Sequence, residues 1–229
     1  QQALTTMGFK PNGIDGKIGG GTKRALRKFQ HANNLPITGD LTQEVADLLT
    51  NGTSLTYPDR PVSFAVPEDI DPNDFDVFSG AVAGIESGSH GYTTYAYPTK
   101  VGNKLYKKGD LLYGGAGGHY LGRYQMGKAA LSDVGREYTP TLNEAFLRDA
   151  ALQDKLFKEY TEKNHSHLTK NSEKYRNMTA DEKLGILGYA HNQGATAAEE
   201  YLFTGQVGVD AFDTKGTKYT DAIAKALGN

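Results

Sequence analysis

Glu86 is the residue whose type and position most clearly favour chemistry. It ends an apolar helical pattern, between Ile85 and Ser87, just before a glycine. A carboxylate at that position faces the negative end of the helix dipole, and partial burial also disfavours its charged form. A carboxylic acid that keeps its proton near neutral pH can protonate the leaving oxygen of a sugar. A solvated glutamate in a last helical turn would give the same local pattern.

Two later segments carry side chains suited to binding a sugar. The first contains Tyr124, Gln125 and Met126 directly after a glycine and an arginine, so aromatic and amide groups could contact hydroxyl or acetamido groups. The alternative is a loop that enters a helix with its apolar side chains in the core. The second contains His191 and Asn192 in the last turn of a predicted helix that stops at a glycine, where a capping histidine and a surface asparagine are equally possible.

The order of these motifs resembles that of the lytic transglycosylases of the goose-lysozyme-like superfamily. The shared order is Glu-Ser at a helix end, then Gly-x-x-Gln-Met, then Ala-aromatic-Asn-x-Gly, then Tyr-x-x-x-Ile, which begins here at Tyr219. The resemblance covers about residues 75–227. It implies that Glu86 is the catalytic acid and then the base, and that Tyr219 lines the site and helps to place Glu86. The substrate-binding residues that it implies are Ser87, Tyr124, Gln125, Met126, His191, Asn192 and Tyr219.

This chain departs from the family pattern at two motifs. Arg123 and Tyr124 stand where the family has Leu-Met, and His191 stands where it has a tyrosine. The segment between Glu86 and Gln125 is also long. These departures concern the detailed specificity and leave Glu86 in its implied role.

Residues 1–50 carry a second, independent resemblance. Two Gly-containing turns are each followed by a helical pattern, and an Asp-Gly-x-Ile-Gly turn begins at Asp15. These features are similar to the three-helix peptidoglycan-binding domain of cell-wall hydrolases, whose first helix is shortened here at residue 1, as in a trimmed or incomplete N-terminus. The resemblance implies binding of bacterial peptidoglycan without chemistry. The wall-binding residues that it implies are Asp15, Gly16, Thr22, Phe29 and Gln30.

The two resemblances predict a modular chain. Residues 51–73 contain four prolines and several aspartates, which resist helix and predict a semi-rigid linker; an extended arm packed on the next domain is the alternative. We therefore predict a wall-binding domain at 1–50, a linker at 51–73 and a lysozyme-like catalytic domain at 74–229.

The catalytic region is predicted to be mostly helical. Phe75, Phe78, Val82 and Ile85 share one helical face. A glycine- and tyrosine-rich stretch then predicts loops and a β-hairpin near 101–112, turning at residues 102–103. The later predicted helices lie near 125–135, 142–164, 179–191, 195–203 and 217–227. The predicted fold class is α+β, predominantly helical.

Composition narrows the remaining possibilities. The net charge of −2 gives no electrostatic case for nucleic acid. The absence of cysteine excludes a disulfide framework, a thiolate nucleophile and a cysteine-bound zinc. No apolar run long enough to span a membrane occurs, and no signal peptide is visible, as expected of a processed precursor or an excised fragment. We expect no cofactor, a monomer, and action in the periplasm or on the cell wall after secretion or phage release.

The spacing of acidic residues bears on the reaction. Residues 87–109 contain no aspartate or glutamate, whereas phage-type lysozymes place a second carboxylate in that stretch. A single glutamate favours lytic transglycosylation of the MurNAc-GlcNAc β-1,4 bond, which leaves a 1,6-anhydroMurNAc end. The alternative is a hydrolytic muramidase, with Asp110, Asp133 or Glu137 as its second carboxylate.

Two further functions stay open. Peptidoglycan-binding domains are also fused to zinc peptidases and amidases, and His90, His119, His165, His167 and His191 are possible zinc ligands. No His-Glu-x-x-His motif occurs, and residues 163–174 are predicted to be a solvated loop, so we predict no metal site. A non-enzymatic protein that only binds the wall is the other alternative.

Overall fold

The computed structural model describes residues 1–229 except 8, 10, 12, 33–34, 36–37, 52–66, 68, 89, 116–117, 211 and 229. Helix predominates in the described part, and its strands form two small antiparallel hairpins, so the fold is predominantly helical α+β, as predicted. The elements are α1 (Gln2–Thr6), α2 (Gly20–Ala32), α3 (Gln43–Asn51), α4 (Pro72–Glu86), β1 (Thr99–Val101), β2 (Lys104–Tyr106), β3 (Tyr113–Gly114), β4 (Tyr120–Leu121), α5 (Lys128–Asp133), α6 (Pro140–Arg148), α7 (Ala150–Asn171), α8 (Glu173–Arg176), α9 (Ala180–Gln193), α10 (Ala195–Thr204) and α11 (Thr217–Leu227).

The first three helices have an apolar core of their own, formed by Leu4, Ala25, Leu26, Phe29 and Val45. Helix α2 also packs on α4 and α11. Its Arg24 pairs with Asp181 at 2.7 Å and donates from Nε to the backbone oxygen of Leu227 at 2.7 Å. The arginine thus joins the N-terminal helices to α9 and α11.

The predicted linker over 51–73 lies mostly outside the described residues. At its described end, Pro72 does not resist helix but begins α4. Proline fits the first helical position because the backbone donor that it lacks has no intrahelical acceptor there. The Asp71 carboxylate caps the helix by accepting from the Asn73 amide at 2.7 Å.

The predicted apolar face of α4 is buried in a second, larger apolar core. Phe75, Phe78 and Val82 are buried there, and Ile85 packs against them. The spacing of three to four residues puts these side chains on one side of the helix, against α9 and α11. Because the helix ends at Glu86 and is capped at Ser87, the carboxylate emerges where the buried face meets the surface.

Helices α9 and α11 form the tightest helix pair beside α4. A side chain at Gly188 of α9 would stand 2.1 Å from the Cδ1 atom of Ile223 on α11. Helix α9 begins with a capping box in which Thr179 and Glu182 exchange hydrogen bonds, and its residues 184–190 are all buried. This packing fixes the end of α9 next to the end of α4.

The segment after α4 contains the predicted hairpin in a shorter form. Strands β1 and β2 pair in antiparallel register around residues 102–103, where the turn was predicted. Gly102 has a φ of 58°, a left-handed conformation that glycine adopts without strain. The pairing ends at Tyr106 rather than continuing to 112, and a second hairpin, β3–β4, follows.

Three helix predictions need correction. The single helix expected over 142–164 is two helices, because Asp149 leaves the helical conformation and its side chain caps α7 through the Leu152 amide at 2.9 Å. The solvated loop expected over 163–174 is instead the end of α7 and the start of α8, separated by Ser172, and Leu168 of this stretch packs in the core. The helix expected at 125–135 spans only Lys128–Asp133. In the described residues, no helix is both long and apolar enough to cross a membrane.

Candidate active site

The end of α4 opens onto a cleft of about 510 Å³. Its walls come from α4, the 115–133 region, the end of α9, the 208–216 loop and the start of α11. The fold therefore brings together residues that the sequence separates by more than a hundred positions. Six of the predicted site residues line this cleft: Glu86, Gln125, Met126, His191, Asn192 and Tyr219.

Tyr219 holds one oxygen of Glu86. Its hydroxyl donates to Oε1 of Glu86 at 2.6 Å, and 16% of the Glu86 side chain is exposed. Burial, followed by the neighbouring charges of Glu86 and Asp210, raises the pKa of Tyr219. The phenol therefore keeps its proton and can donate it in the hydrogen bond to Oε1 of Glu86.

His191 approaches the same oxygen from the end of α9. Its Nε2 lies 3.4 Å from Oε1 of Glu86 and 3.0 Å from the backbone oxygen of Tyr124. Its Nδ1 is buried and has no hydrogen-bond partner in the described part of the chain. The ring stands edge-on to Phe157, with centroids 5.4 Å apart. Glu86 thus has an aromatic neighbour with a polar edge.

Asn192 is fixed by an aspartate that the sequence reasoning missed. Its Nδ2 donates to Oδ2 of Asp210 at 2.9 Å and lies 3.5 Å from the hydroxyl of Tyr219. The other oxygen of Asp210 accepts from the backbone amides of Phe212 and Thr214, both at 2.8 Å. Asp210 lines the cleft, and only its local turn could have been foreseen from sequence.

The pKa of Asp210 lies below the usual aspartate range. Burial alone would raise it, but the hydrogen bonds from Asn192, Thr214 and Phe212 outweigh that effect. Hydrogen bonds to a carboxylate stabilise its charged form. Asp210 is therefore an ionised anchor between the end of α9 and the loop.

Gln125 is held in an unusual backbone conformation. Its φ is 45°, a left-handed value that costs a residue with a side chain about 1–3 kcal/mol. Its Nε2 donates to the backbone oxygen of Gly122 at 2.7 Å, and any side chain at Gly114 would collide with its amide. The neighbouring Met126 is buried under the cleft floor. This tight fit points the Gln125 backbone and amide into the cleft wall.

Two predicted substrate-binding residues do not line the cleft. The hydroxyl of Ser87 donates to the backbone oxygen of Ala83 at 3.1 Å, and the residue is buried. Tyr124 stacks on Phe157 in the core and donates from its hydroxyl to Asp154 at 2.7 Å. Burying an aromatic ring stabilises the fold more than leaving it at the surface. Tyr124 therefore contributes its backbone oxygen, and not its ring, to the site.

Of the three candidates for a second carboxylate, one lines the cleft and two do not. Asp133 lines the cleft and pairs with Lys163 at 2.5 Å. Asp110 is engaged in the hairpin region, where it accepts from the Lys107 amide at 2.7 Å, and Glu137 is exposed; neither of them lines the cleft. In the described residues, the carboxylates that line the cleft are those of Glu86, Asp133 and Asp210.

The candidate wall-binding residues also separate. Asp15 and Gly16 are exposed, and both are hydrogen-bonded to the side chain of Gln1. Thr22, Phe29 and Gln30 are buried. The buried three build the fold of the module, and Asp15 and Gly16 are the two of these residues that lie at its surface.

The histidines outside the cleft make separate pairs. His165 lies 2.9 Å from the hydroxyl of Tyr175 and 3.5 Å from Asp69, and His167 lies 2.8 Å from Glu199. In the part of the chain that is described, no group of three histidine, aspartate or glutamate side chains has a geometry that could hold a metal ion.

Comparison with known proteins identifies the N-terminal module. Residues 1–49 match the family model of a peptidoglycan binding domain, which supports a cell-wall-related role with peptidoglycan as a partner. No curated protein matches the chain.

Proposed function

We propose that the protein cleaves the MurNAc-GlcNAc β-1,4 bond of bacterial peptidoglycan, with Glu86 as general acid and then general base. The observation that carries this proposal is the position of Glu86, which lines a cleft with one carboxyl oxygen held by Tyr219. The lysozyme-like character of residues 74–229, and their separation from the wall-binding domain at 51–73, belong to the same proposal. Gln125, Met126, His191 and Asn192 line the cleft around the carboxylate.

Lytic transglycosylation is the favoured reaction because it needs one free carboxyl group. The acetamido oxygen of MurNAc attacks the anomeric carbon while Glu86 protonates the leaving oxygen. Glu86 then removes the proton of the C6 hydroxyl, whose oxygen attacks the same carbon, displaces the acetamido oxygen and closes the 1,6-anhydro ring. Support comes from Asp210, whose oxygens both accept hydrogen bonds from protein groups and whose role is that of an anchor.

Hydrolysis is the second candidate, and Asp133 is the observation that favours it. This carboxylate lines the same cleft. Its ion pair with Lys163 is half exposed, so a water molecule can replace Lys163 as its partner. A water activated by Asp133 would give a reducing MurNAc end. Zinc-dependent peptide or amide cleavage would instead require a metal, and a protein that only binds the wall would require no Glu86.

The N-terminal module is proposed to hold the enzyme on its substrate in the periplasm or on the cell wall. Because the glycan is polymeric, one module bound to the wall raises the local concentration of bonds at the cleft of the other. This arrangement needs no second copy of the chain.

Mass spectrometry of the fragments released from purified peptidoglycan, by the wild type and by Glu86→Gln, tests these alternatives. Anhydro-muropeptides from the wild type and none from the variant would support transglycosylation through Glu86. Products heavier by one water, with a reducing MurNAc end, would support the muramidase and direct attention to Asp133. Peptide-bond cleavage, loss of activity with a chelator, or equal activity of the variant would refute the proposal.

A further inference from the structure

His191 has one ring nitrogen at Glu86 and the other in an apolar enclosure. Its side chain is only 5% exposed. The backbone oxygen of Tyr124, 3.0 Å from Nε2, can only accept a hydrogen bond, so Nε2 carries the hydrogen. Oε1 of Glu86 lies within 3.4 Å of the same nitrogen. The N–H group therefore hydrogen-bonds to the backbone oxygen of Tyr124, and its positive edge lies beside the carboxyl group.

Packing does not explain the presence of a histidine here. The imidazole faces aromatic rings, with centroids 5.4 Å from Phe157, 6.1 Å from Tyr160 and 6.4 Å from Tyr219. Its Nδ1 is buried without a partner in the described residues. A phenylalanine would fill the same space without an unpaired Nδ1, but it would leave the backbone oxygen of Tyr124 without its donor, so the histidine is explained by its Nε2–H group and not by packing.

The two oxygens of Glu86 have different surroundings. Oε1 faces two donors, the hydroxyl of Tyr219 at 2.6 Å and Nε2 of His191 at 3.4 Å. Among the described residues, Oε2 accepts no hydrogen bond, and it is not a buried unpaired atom. A proton on Oε1 would compete with the Tyr219 hydroxyl and the His191 N–H edge on the same side of the carboxyl group, so Oε2 is the favoured place for the acidic proton.

We infer that His191 is a positioning residue that, with Tyr219, fixes Oε1 of Glu86 and leaves the acidic proton on Oε2. This inference rests on the proposed glycan cleavage. As the bond between the anomeric carbon and the leaving oxygen breaks, the proton on Oε2 passes to that oxygen and its electron pair stays with Glu86. The resulting negative charge is stabilised by the two donors at Oε1. Oε2 then accepts the C6 hydroxyl proton, which returns Glu86 to its starting form.

Steady-state kinetics on soluble glycan strands separates positioning from packing. His191→Phe keeps the ring and removes the donor, so kcat is expected to fall about 10- to 100-fold with an unchanged KM. His191→Gln keeps an N–H near the position of Nε2 and is expected to restore most of kcat. His167→Phe is the matched control, because His167 pairs with Glu199 and does not line the cleft.

The outcomes are read together with thermal unfolding midpoints. Wild-type kcat in His191→Phe, or equal loss of kcat in the Phe and Gln variants, would overturn the inference. A rise in KM alone would assign His191 to substrate contact and overturn it as well. A wild type that releases no glycan fragment would remove the proposed function, a result that these variants cannot imitate.

Nitrogen NMR of the histidine rings tests the inference without any activity. The signals that disappear in His191→Gln belong to His191, and they are expected to show a protonated Nε2 and an unprotonated Nδ1 at neutral pH. A hydrogen on Nδ1 alone would contradict the Nε2–H donor and refute the inference, whatever reaction the protein catalyses.

Discussion

One buried polar side chain in the N-terminal helices and one beside the cleft differ in how completely they are hydrogen-bonded. Gln30, fully buried in the N-terminal module, donates to Thr38 and Asp40 and accepts from the amides of Thr38 and Gly39, so all four of its hydrogen-bonding positions are used. In the cleft, Nδ1 of His191 has no partner in the described chain, at a cost of about 1–3 kcal/mol. In this pair, the fully hydrogen-bonded side chain builds the scaffold, whereas the side chain with an unpaired nitrogen lies beside the candidate acid.

The largest expected effect is the loss of glycan cleavage when the Glu86 carboxyl group is removed. Glu86→Gln keeps the shape of the side chain and its bond from Tyr219 but has no proton to give, so glycan cleavage is expected to fall about 10³-fold. The thermal unfolding midpoint should stay that of the wild type. Fragment release from purified peptidoglycan measures the effect, with Glu200→Gln on the exposed side of α10 as control. Equal activity of Glu86→Gln and the control would show that Glu86 is not the catalytic acid.

The second largest effect on kcat is expected from removing the Tyr219 hydroxyl, which donates to the Glu86 carboxyl group. Tyr219→Phe removes the hydroxyl that holds Oε1 of Glu86, and kcat is expected to fall about 10- to 100-fold. Tyr201→Phe is the matched control, because this ring stacks on Tyr189 away from the cleft. Initial rates on soluble glycan strands separate kcat from KM. A change in KM only would mean that Tyr219 binds sugar rather than positioning Glu86.

The scaffold side of the comparison is tested at Gln30. Gln30→Ala leaves the amides of Thr38 and Gly39 unpaired, and the module should lose about 2–4 kcal/mol of stability. Hydrogen exchange at these two amides, in the full-length chain, measures the loss. Gln43→Ala, which removes only an exposed bond to Asp47, should change little. Cleavage of soluble strands should be unaffected by either variant; a large loss of kcat would contradict the separation of roles.

The smallest effect is expected from the charge of Asp210. Because its pKa is lower in the folded than in the unfolded chain, its carboxylate stabilises the fold above about pH 4, and this stability is lost as the pH falls through the folded pKa. Asp210→Asn should therefore lower the unfolding midpoint at pH 7, with a difference that shrinks toward pH 3. Midpoints recorded across this range measure it. A difference that grows on acidification would contradict the anchoring role.

Local features of the fold could be predicted because short-range rules decide them. The apolar face of α4, the turn at residues 102–103 and the helices ending near 191, 203 and 227 follow from periodicity and glycine position. The errors arose where a single side chain changed the local outcome. Asp149 divides one predicted helix in two by capping the second, and α7 continues through a polar stretch in which Leu168 is buried.

The candidate site shows the same division between local pattern and distant contact. The position of Glu86 at a helix end could be predicted, but its contact with Tyr219 joins residues 133 positions apart. Asp210 was missed because only its bond to Asn192 connects it with the site. Tyr124 was expected at the substrate and is instead in the core, since a ring beside Phe157 can be recognised only once α7 is in place.

The helical character of the chain, the wall-binding module at its N-terminus and the carboxylate at the end of α4 could all be predicted from the amino-acid sequence. These depend on residue spacing and on short motifs, which act over a few residues. Only the tertiary structure decided which oxygen of Glu86 faces two donors and which carboxylates share its cleft. Hydrogen bonds and burial act over a few ångströms in space, and the chain reaches those distances only when α4, α9 and α11 have packed together.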